Sequence, residues 1–331
     1  MAKVSVIVPV YGVELYAERC VKSLMEQTLD DIEYLFIDDC TPDCSMDIIK
    51  NIVNRYPQRI SQVRFEKMPI NSGLAAVRKY GILLAKGEYI IHCDSDDYIE
   101  LNMYASMYTL AKERNFDMVI CDFFSSDDKR DMNVPQNFVS TSSDEVFRLL
   151  LAGVLHGSTW NKLVHRSIYD NMIDYPIDNQ WEDKALMIQL AFYSKSIGHL
   201  NRTLYHYCYN PKSLSNVQTV SSINRRHTQM KNNAELILRF LERNDLMSKY
   251  KDEILLMKYS VRGCYDIFVD DDKYYELWRS TYPEVDGNIL KNRILSLKGK
   301  FHYLLVYFRV YHLFFIMKYG KKYYRKMSGK I

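Results

Sequence analysis

Three carboxylates crowd the end of one short apolar run. In IIHCDSDD (90–97), Asp94, Asp96 and Asp97 are separated only by Ser95. Charges this close repel one another and gain nothing from packing. An Asp-x-Asp at the end of a buried strand suits Mg²⁺ or Mn²⁺, which take one or two protein carboxylates and complete their shell with substrate phosphate oxygens. A plainer role is also open, since Ser95 or Asp97 could cap a helix running through Leu101. A calcium loop is excluded: counted from Asp94, the sixth position is Ile99 rather than Gly and the twelfth is Ala105 rather than Glu. A phosphatase with an aspartyl nucleophile carries its Asp-x-Asp on the first strand. Here the first strand ends in Pro9-Val10-Tyr11 instead.

The elements that must hold these acids follow from periodicity. Runs at 4–10, 32–37, 63–67, 88–93 and 117–124 are short and apolar, and predict buried strands. Between them, 15–28, 45–56, 73–86 and 101–114 repeat at helical spacing, with Ser45 as an N-cap candidate. Such alternation predicts an α/β chain whose mostly parallel, Rossmann-like sheet is flanked by helices. Ligands of such sheets bind beyond the carboxyl ends of the strands. Three polar clusters fall there: residues 9–11, IDDCTPD (37–43) and CDSDD (93–97). Farther on, 125–137 reads as a polar surface loop, 143–152 as a helix, 160–167 as a short strand and 202–210 as another, with a helix starting near Glu182. Beyond Arg225 the pattern is helical.

In this order and spacing, VSVIVPVYG, IDDCTPD, NSGLAAVRKYG, CDSDD and NQWEDK resemble an inverting family-2 glycosyltransferase of GT-A fold over roughly residues 3–215. The resemblance implies a nucleotide-diphospho-sugar donor, usually a UDP-sugar, used with Mn²⁺ or Mg²⁺. It implies that Pro9, Val10, Tyr11 and Glu14 border the base, and that Asp39 accepts a hydrogen bond from it while Asp38 supports the loop. Asn71, Gly73 and Arg78 would lie near the nucleotide and diphosphate. Asp94 and Ser95 would contact the ribose or the metal's outer shell, Asp96 would bind the metal, and Asp183 would act as general base. Trp160 and Lys162 match a segment on the acceptor side, or else a packed strand. His206 and Ser213 match a segment that closes over the diphosphate, although Tyr209 stands where relatives often carry a base.

The residue types agree with these roles on chemical grounds. A carboxylate such as Asp39 only accepts hydrogen bonds, so it pairs with the imide N–H of uracil. Gly73 before a helix permits close approach of an anion to the helix N-terminus, and Arg78 matches phosphate geometry. Asp183 also has a bland reading, because acids are common in a first helical turn. Trp181 just before it suits a sugar cleft. A protein that binds sugar nucleotides without transferring them remains the alternative, with the phosphatase behind it.

The chain has 331 residues, 47% of them hydrophobic and 26% charged, with 12 Gly and 8 Pro, which disfavours disorder. Seven scattered cysteines without a CxxC pair indicate a reducing compartment and no zinc site. Nothing at the start resembles a secretory signal. The net charge of +3 hides an asymmetry: residues 285–331 carry eleven Lys and Arg against one acid. We expect a catalytic domain over 1–215, a helical subdomain over 216–284 and a basic aromatic helical tail over 285–331. The run from Phe301 to Met317 is short for a bilayer span and has Arg309 at its middle. The stripe Leu290, Ile294, Leu297 and Phe301 instead suggests a helix lying on an anionic membrane face. Packing on the body, or a contact in a homodimer, are alternatives; no nucleic-acid-binding module accompanies the patch. The expected setting is cytoplasmic, peripheral on the inner face of the cytoplasmic membrane, with a glycan or lipid-linked oligosaccharide as acceptor in polysaccharide biosynthesis.

Overall fold

The computed structural model describes residues 2–126, 131–211, 213 and 219–320. Among these residues the strands are β1 (Val4–Val10), β2 (Ile32–Asp38), β3 (Val63–Lys67), β4 (Tyr89–His92), β5 (Tyr98–Ile99), β6 (Met118–Ser126), β7 (Asp131–Val134), β8 (Lys162–His165) and β9 (Ile197–Tyr207). The helices are α1 (Ala17–Met25), α2 (Ser45–Val53), α3 (Leu74–Leu84), α4 (Met103–Arg114), α5 (Ser143–Ala152), α6 (Glu182–Tyr193), α7 (Val220–Arg243), α8 (Lys251–Arg262), α9 (Asp272–Ser280), α10 (Glu284–Asn288), α11 (Leu297–Tyr307) and α12 (Tyr311–Tyr319). The chain separates into two compact units, Met1–Leu150 with Leu155–Asn210, and Leu151–Val154 with Pro211–Ile331.

The first unit is built on a mixed sheet in the order β3-β2-β1-β4-β8-β6-β9-β5, with β7 on the side of β6. Strands β3, β2, β1 and β4 are parallel, β8 runs against β4 and β6, and β9 returns parallel to β6. β1 is central because it can afford burial on both faces: all seven residues of VSVIVPV are buried. Its one polar side chain is satisfied, Ser5 Oγ donating to Glu33 Oε2 at 2.5 Å and accepting from Gly87 N–H at 2.8 Å. One face carries a hydrophobic core, Val4, Val6, Val8 and Val10 against α1, α2 and α4. α3 lies close against the sheet; a Cβ on its Gly81 would come within 2.5 Å of Ile7 Cγ2.

Several expectations need correction. Ser45 is the first residue of α2 rather than its cap; its hydroxyl donates to Asp43 and accepts from Val13 N–H, tying two loops together. Residues 125–137 are not a free loop, because β6 extends to Ser126 and pairs with β7; residues 127–130 lie outside the described residues. β5 escaped sequence reading altogether. Neither Ser95 nor Asp97 caps α4, whose N-cap is Asn102. Leu290 and Ile294 lie before α11, so the expected four-residue stripe is not on one helix.

The second unit is helical. α7 begins with a capping box between Thr219 and Ser222, and Trp278 of α9 is fully buried, its indole N–H donating to Asp266 at 2.9 Å. Arg262 is buried as well, and donates to the carbonyls of Arg279, Thr281 and Tyr282.

Candidate active site

The loops after β1, β2 and β4 form one edge of the sheet. After β1 the chain turns through Gly12 at φ +67°, and Gly12 N–H donates to Thr41 Oγ1 at 2.9 Å. Glu14 N–H donates to Asp43 at 3.1 Å, while Cys44 N–H reaches Glu14 Oε2 at 3.4 Å. Pro9 and Val10 are strand residues, whereas Tyr11 and Glu14 are exposed. Ser95 joins β1 to the acidic loop, its hydroxyl donating to Pro9 O at 2.7 Å.

After β2, Asp38 closes its own turn by accepting from Thr41 N–H at 2.7 Å. Asp39 is buried and accepts from Ser72 N–H at 2.7 Å and Gly73 N–H at 2.9 Å. Gly73 sits at φ +83°, and the space a Cβ would need is filled by the Asn179 side chain at 2.8 Å. Asn179 Oδ1 accepts from Ala75 N–H at 3.2 Å. Of the donors leading into α3, expected to face an anion, those of Ser72 and Gly73 are met by Asp39 and that of Ala75 by Asn179. Gly73 is required by that internal packing, and Asn71 is left exposed on the surface.

The three acids of CDSDD divide. Asp97 is fully buried; it accepts from Tyr205 O–H at 2.6 Å and Cys208 N–H at 2.7 Å, which pins the loop to the end of β9. Burial first, then Asp96 and Asp94, push its carboxyl well above the usual range. Asp96 is half-buried with Asn210 Nδ2 donating to it at 2.8 Å, and burial followed by the charge of Asp94 raises it as well. Asp94 accepts from Arg78 Nη2 at 2.5 Å.

Arg78 is the hinge of the arrangement. It is 3% exposed, with one amino group on Asp94 and the other on Glu182. Expected near phosphate, it is engaged in a buried ion bridge from the acidic loop to the first residue of α6. Beneath it, burial and then the Arg78 charge hold the His92 imidazole well below its ordinary range. Trp181 precedes α6 in the left-handed region, at φ +65°, and Asp183 follows Glu182, half-buried, accepting from Lys184 N–H at 2.7 Å. Tyr207 feels all the acids at once: its hydroxyl is pushed up to about 12 by burial and then by Asp97, Asp94, Asp96 and Asp183.

Two loosely matched stretches fall differently. Trp160 is buried and stacks on Tyr205 at 4.2 Å, and Lys162 is buried too, so both belong to packing behind this edge. His206 lies between the rings of Tyr98 and Phe124, at 4.1 and 4.7 Å, and bonds Glu100 at 2.8 Å. Ser213 lies in the second unit, while Lys212 and residues 214–215 fall outside the described residues. Among the described residues, no group of three or more His, Cys, Asp or Glu is gathered to hold a metal ion. Sequence reasoning missed Asn179, Tyr205 and Asn210. Only NQWEDK carried a signal for one of them, Asn179 standing two residues before Trp181.

Comparison with known proteins identifies the family and the fold. Residues 5–173 match the family model described as Glycosyl transferase family 2. EpsH of Bacillus subtilis (strain 168), named as a glycosyltransferase, is 30% identical over 264 residues, covering 76% of this chain and 72% of its own. The S. aureus TarS 1-349 structure with UDP-GlcNAc superposes with a TM-score of 0.57 at 18% identity, covering 79% of this chain and 81% of that one. The mannosyltransferase PcManGT of Pyrobaculum calidifontis, in complex with GDP-Man and Mn²⁺, gives 0.54 at 12% identity over 94% and 87%. At these identities the structural likeness speaks for the fold alone, GT-A with a helical C-terminal region.

Proposed function

The chain belongs to glycosyl transferase family 2, and from that premise we propose that it moves a sugar from a nucleotide-diphospho-sugar, a UDP-sugar, to a hydroxyl of a glycan or lipid-linked acceptor with inversion. The observation that carries this reading is the Asp94–Arg78–Glu182 bridge, which ties the acidic loop to the helix start bearing Asp183. Asp183 takes the proton of the acceptor hydroxyl. The acceptor oxygen then bonds to the anomeric carbon as that carbon's bond to the diphosphate breaks, and the electron pair leaves with the nucleoside diphosphate. One carboxylate suffices as base because the leaving group needs no proton. Glycosidases instead use a pair of carboxylates.

The donor set supports a metal held in part by the protein. Asp96, with Asp94 beside it, would supply one or two oxygens, which suits Mn²⁺ or Mg²⁺ completed by phosphate. When bound, such an ion would offset charge on the departing diphosphate. Asp39, whose backbone N–H donates to Val10 O at 3.1 Å next to the exposed Tyr11, is the acid that would accept from the base. A polysaccharide or teichoic-acid-like acceptor is suggested by a further relative at 24% identity, the minor teichoic acid biosynthesis protein GgaB of Bacillus subtilis (strain 168). The basic segment 285–331 supports action at a membrane surface, although no helix among the described residues is long and apolar enough to cross one.

The test is transfer from a panel of radiolabelled UDP-glucose, UDP-galactose and their N-acetylated amines, with Mn²⁺ and a bacterial lipid-linked acceptor extract. Asp183→Asn should lower kcat by about 10²–10⁴ while UDP binding by calorimetry persists. Retained transfer would remove Asp183 as base, and binding without turnover in the wild type would favour a binding protein.

A further inference from the structure

Three consecutive backbone N–H groups follow Tyr11, and three side chains of the loop after β2 accept them. Gly12 N–H donates to Thr41 Oγ1 at 2.9 Å, Val13 N–H to Ser45 Oγ at 3.0 Å and Glu14 N–H to Asp43 Oδ2 at 3.1 Å. With Gly12 in the left-handed region at φ +67°, such a run of donors suits an anion. Here the anion is the chain's own. Asp43 Oδ1 accepts from the Thr41 hydroxyl at 2.7 Å, the Ser45 hydroxyl at 2.5 Å and Ser45 N–H at 3.1 Å. Both hydroxyls therefore relay a loop N–H to one carboxylate oxygen, and the third N–H reaches the other oxygen directly.

A hydroxyl rotates to suit its partners, giving one proton and keeping its lone pairs as acceptors. Asp43 takes the protons of Thr41 and Ser45, which leaves their lone pairs for Gly12 and Val13. Burial pushes the Asp43 carboxyl up, but the bonds from Ser45, Thr41 and Glu14 prevail and hold it below the usual range. Hydrogen bonds to an ionised acceptor are the stronger kind. On the other side of Tyr11, Asp39 N–H donates to Val10 O at 3.1 Å. The chain is thus clamped before and after Tyr11, which is itself 51% exposed. A plainer role for Asp43 would be to serve α2, because Ser45, whose N–H it accepts, is the first residue of that helix. Gly12, Val13 and Glu14 lie outside α2, so capping accounts for only part of the cluster.

We propose that Asp43 is a positioning residue for the donor: through Thr41 and Ser45 it fixes the Tyr11–Glu14 loop in the shape that meets the nucleotide base. This rests on the reading of that loop as the border of a UDP-sugar's base. The experiment measures UDP binding to the full chain by calorimetry with Mn²⁺, and donor KM and kcat with the most active UDP-sugar of the panel above. Wild type is compared with Asp43→Ala, Thr41→Val and Thr41→Ser. Thr41→Val removes one relay and leaves the Ser45 bonds at the start of α2 in place. It should raise the UDP Kd and the donor KM by about threefold to tenfold, with kcat at saturating donor and the acceptor KM unchanged. Thr41→Ser, which keeps the hydroxyl, should restore both. Asp43→Ala, which releases all three arms, should raise Kd and donor KM by at least about tenfold. An unmoved Kd in Thr41→Val and Asp43→Ala, even with a fall in kcat or melting temperature, would overturn the proposal and leave Asp43 as a support of α2. If Asp43→Ala does not fold, Thr41→Val and its rescue by Thr41→Ser decide on the same readings. A wild type that binds no UDP would overturn the donor reading itself, an outcome distinct from an unmoved Kd.

Discussion

Arg78 shows how a residue chosen for charge can be used for geometry. Its type and place suggested a phosphate ligand, and the structure instead puts it between Asp94 and Glu182, out of solvent. Removing one partner of a buried ion bridge leaves uncompensated charge, which costs about 3–5 kcal/mol. Arg78→Met should therefore destabilise the protein by that order, measured by urea unfolding, and lower kcat/KM because the acidic loop and the start of α6 are no longer tied. Adding Glu182→Leu removes one of the orphaned carboxylates and should recover more than half of the lost stability without restoring activity. Equal losses in the single and double variants would show that the bridge carries little energy. Asp97 is a second case: the spacing announced three acids but not their division, because the partners that bury Asp97 come from Tyr205 and Cys208, more than a hundred residues away.

Elements were legible in the sequence where one signal dominated. β1, β3 and α5 begin and end where the periodicity puts them; in β1 a β-branched run and in α5 an apolar helical stripe had no competitor. β5 has two residues and β7 exposes three of its four, so neither leaves a hydrophobic pattern to read. Capping from afar was equally silent: nothing near residue 74 announces that Asn179 supplies an acceptor to the start of α3. The placement of α3 carries its own prediction. Gly81 faces Ile7 and Ile37, and a Cβ there would meet them at 2.5 and 2.9 Å. Both side chains are fully buried, so Gly81→Ala must move the helix, at about 1–3 kcal/mol for overpacking. Because Arg78 lies one turn earlier on the same helix, kcat/KM should fall along with the melting temperature. Gly287→Ala, with nothing within 4 Å of the added Cβ, should leave both unchanged. If Gly81→Ala behaves like that control, the close seating of α3 is not what holds Arg78 in place.

At the scale of the whole molecule, the remaining question is what the basic end of the chain does. The described part is bound into the helical unit on one side. Tyr303 and Val306 are buried, and Arg309, at φ +61° between α11 and α12, donates to Val269 O and Asp270 O at 2.7 and 2.8 Å and pairs with Asp272. The arginine that sequence reading placed in mid-helix is thus a fastening at a break. The other side is open: Leu297, Phe308 and Met317 are 84%, 66% and 79% exposed, with Phe301 and Leu313 also outward. Exposed apolar side chains beside Lys291, Arg293 and Lys298 fit an anionic lipid surface better than a neutral one. Deleting the segment would be a poor test, since it also removes Tyr303, Val306 and the Arg309 bonds. Three outward substitutions, Phe301→Ser, Phe308→Ser and Met317→Ser, leave those contacts in place. Sedimentation with phosphatidylglycerol vesicles at about 0.1 M salt should pull down the wild type and weaken at several-fold higher salt, where screening shortens to a few Å. The triple variant should bind at least about tenfold more weakly, because each apolar side chain contributes on the order of 1.5–3 kcal/mol when taken out of water. Equal binding to neutral phosphatidylcholine, or no loss in the triple variant, would refute the membrane reading. A change in sedimentation velocity without any vesicle binding would assign the same face to a homodimer.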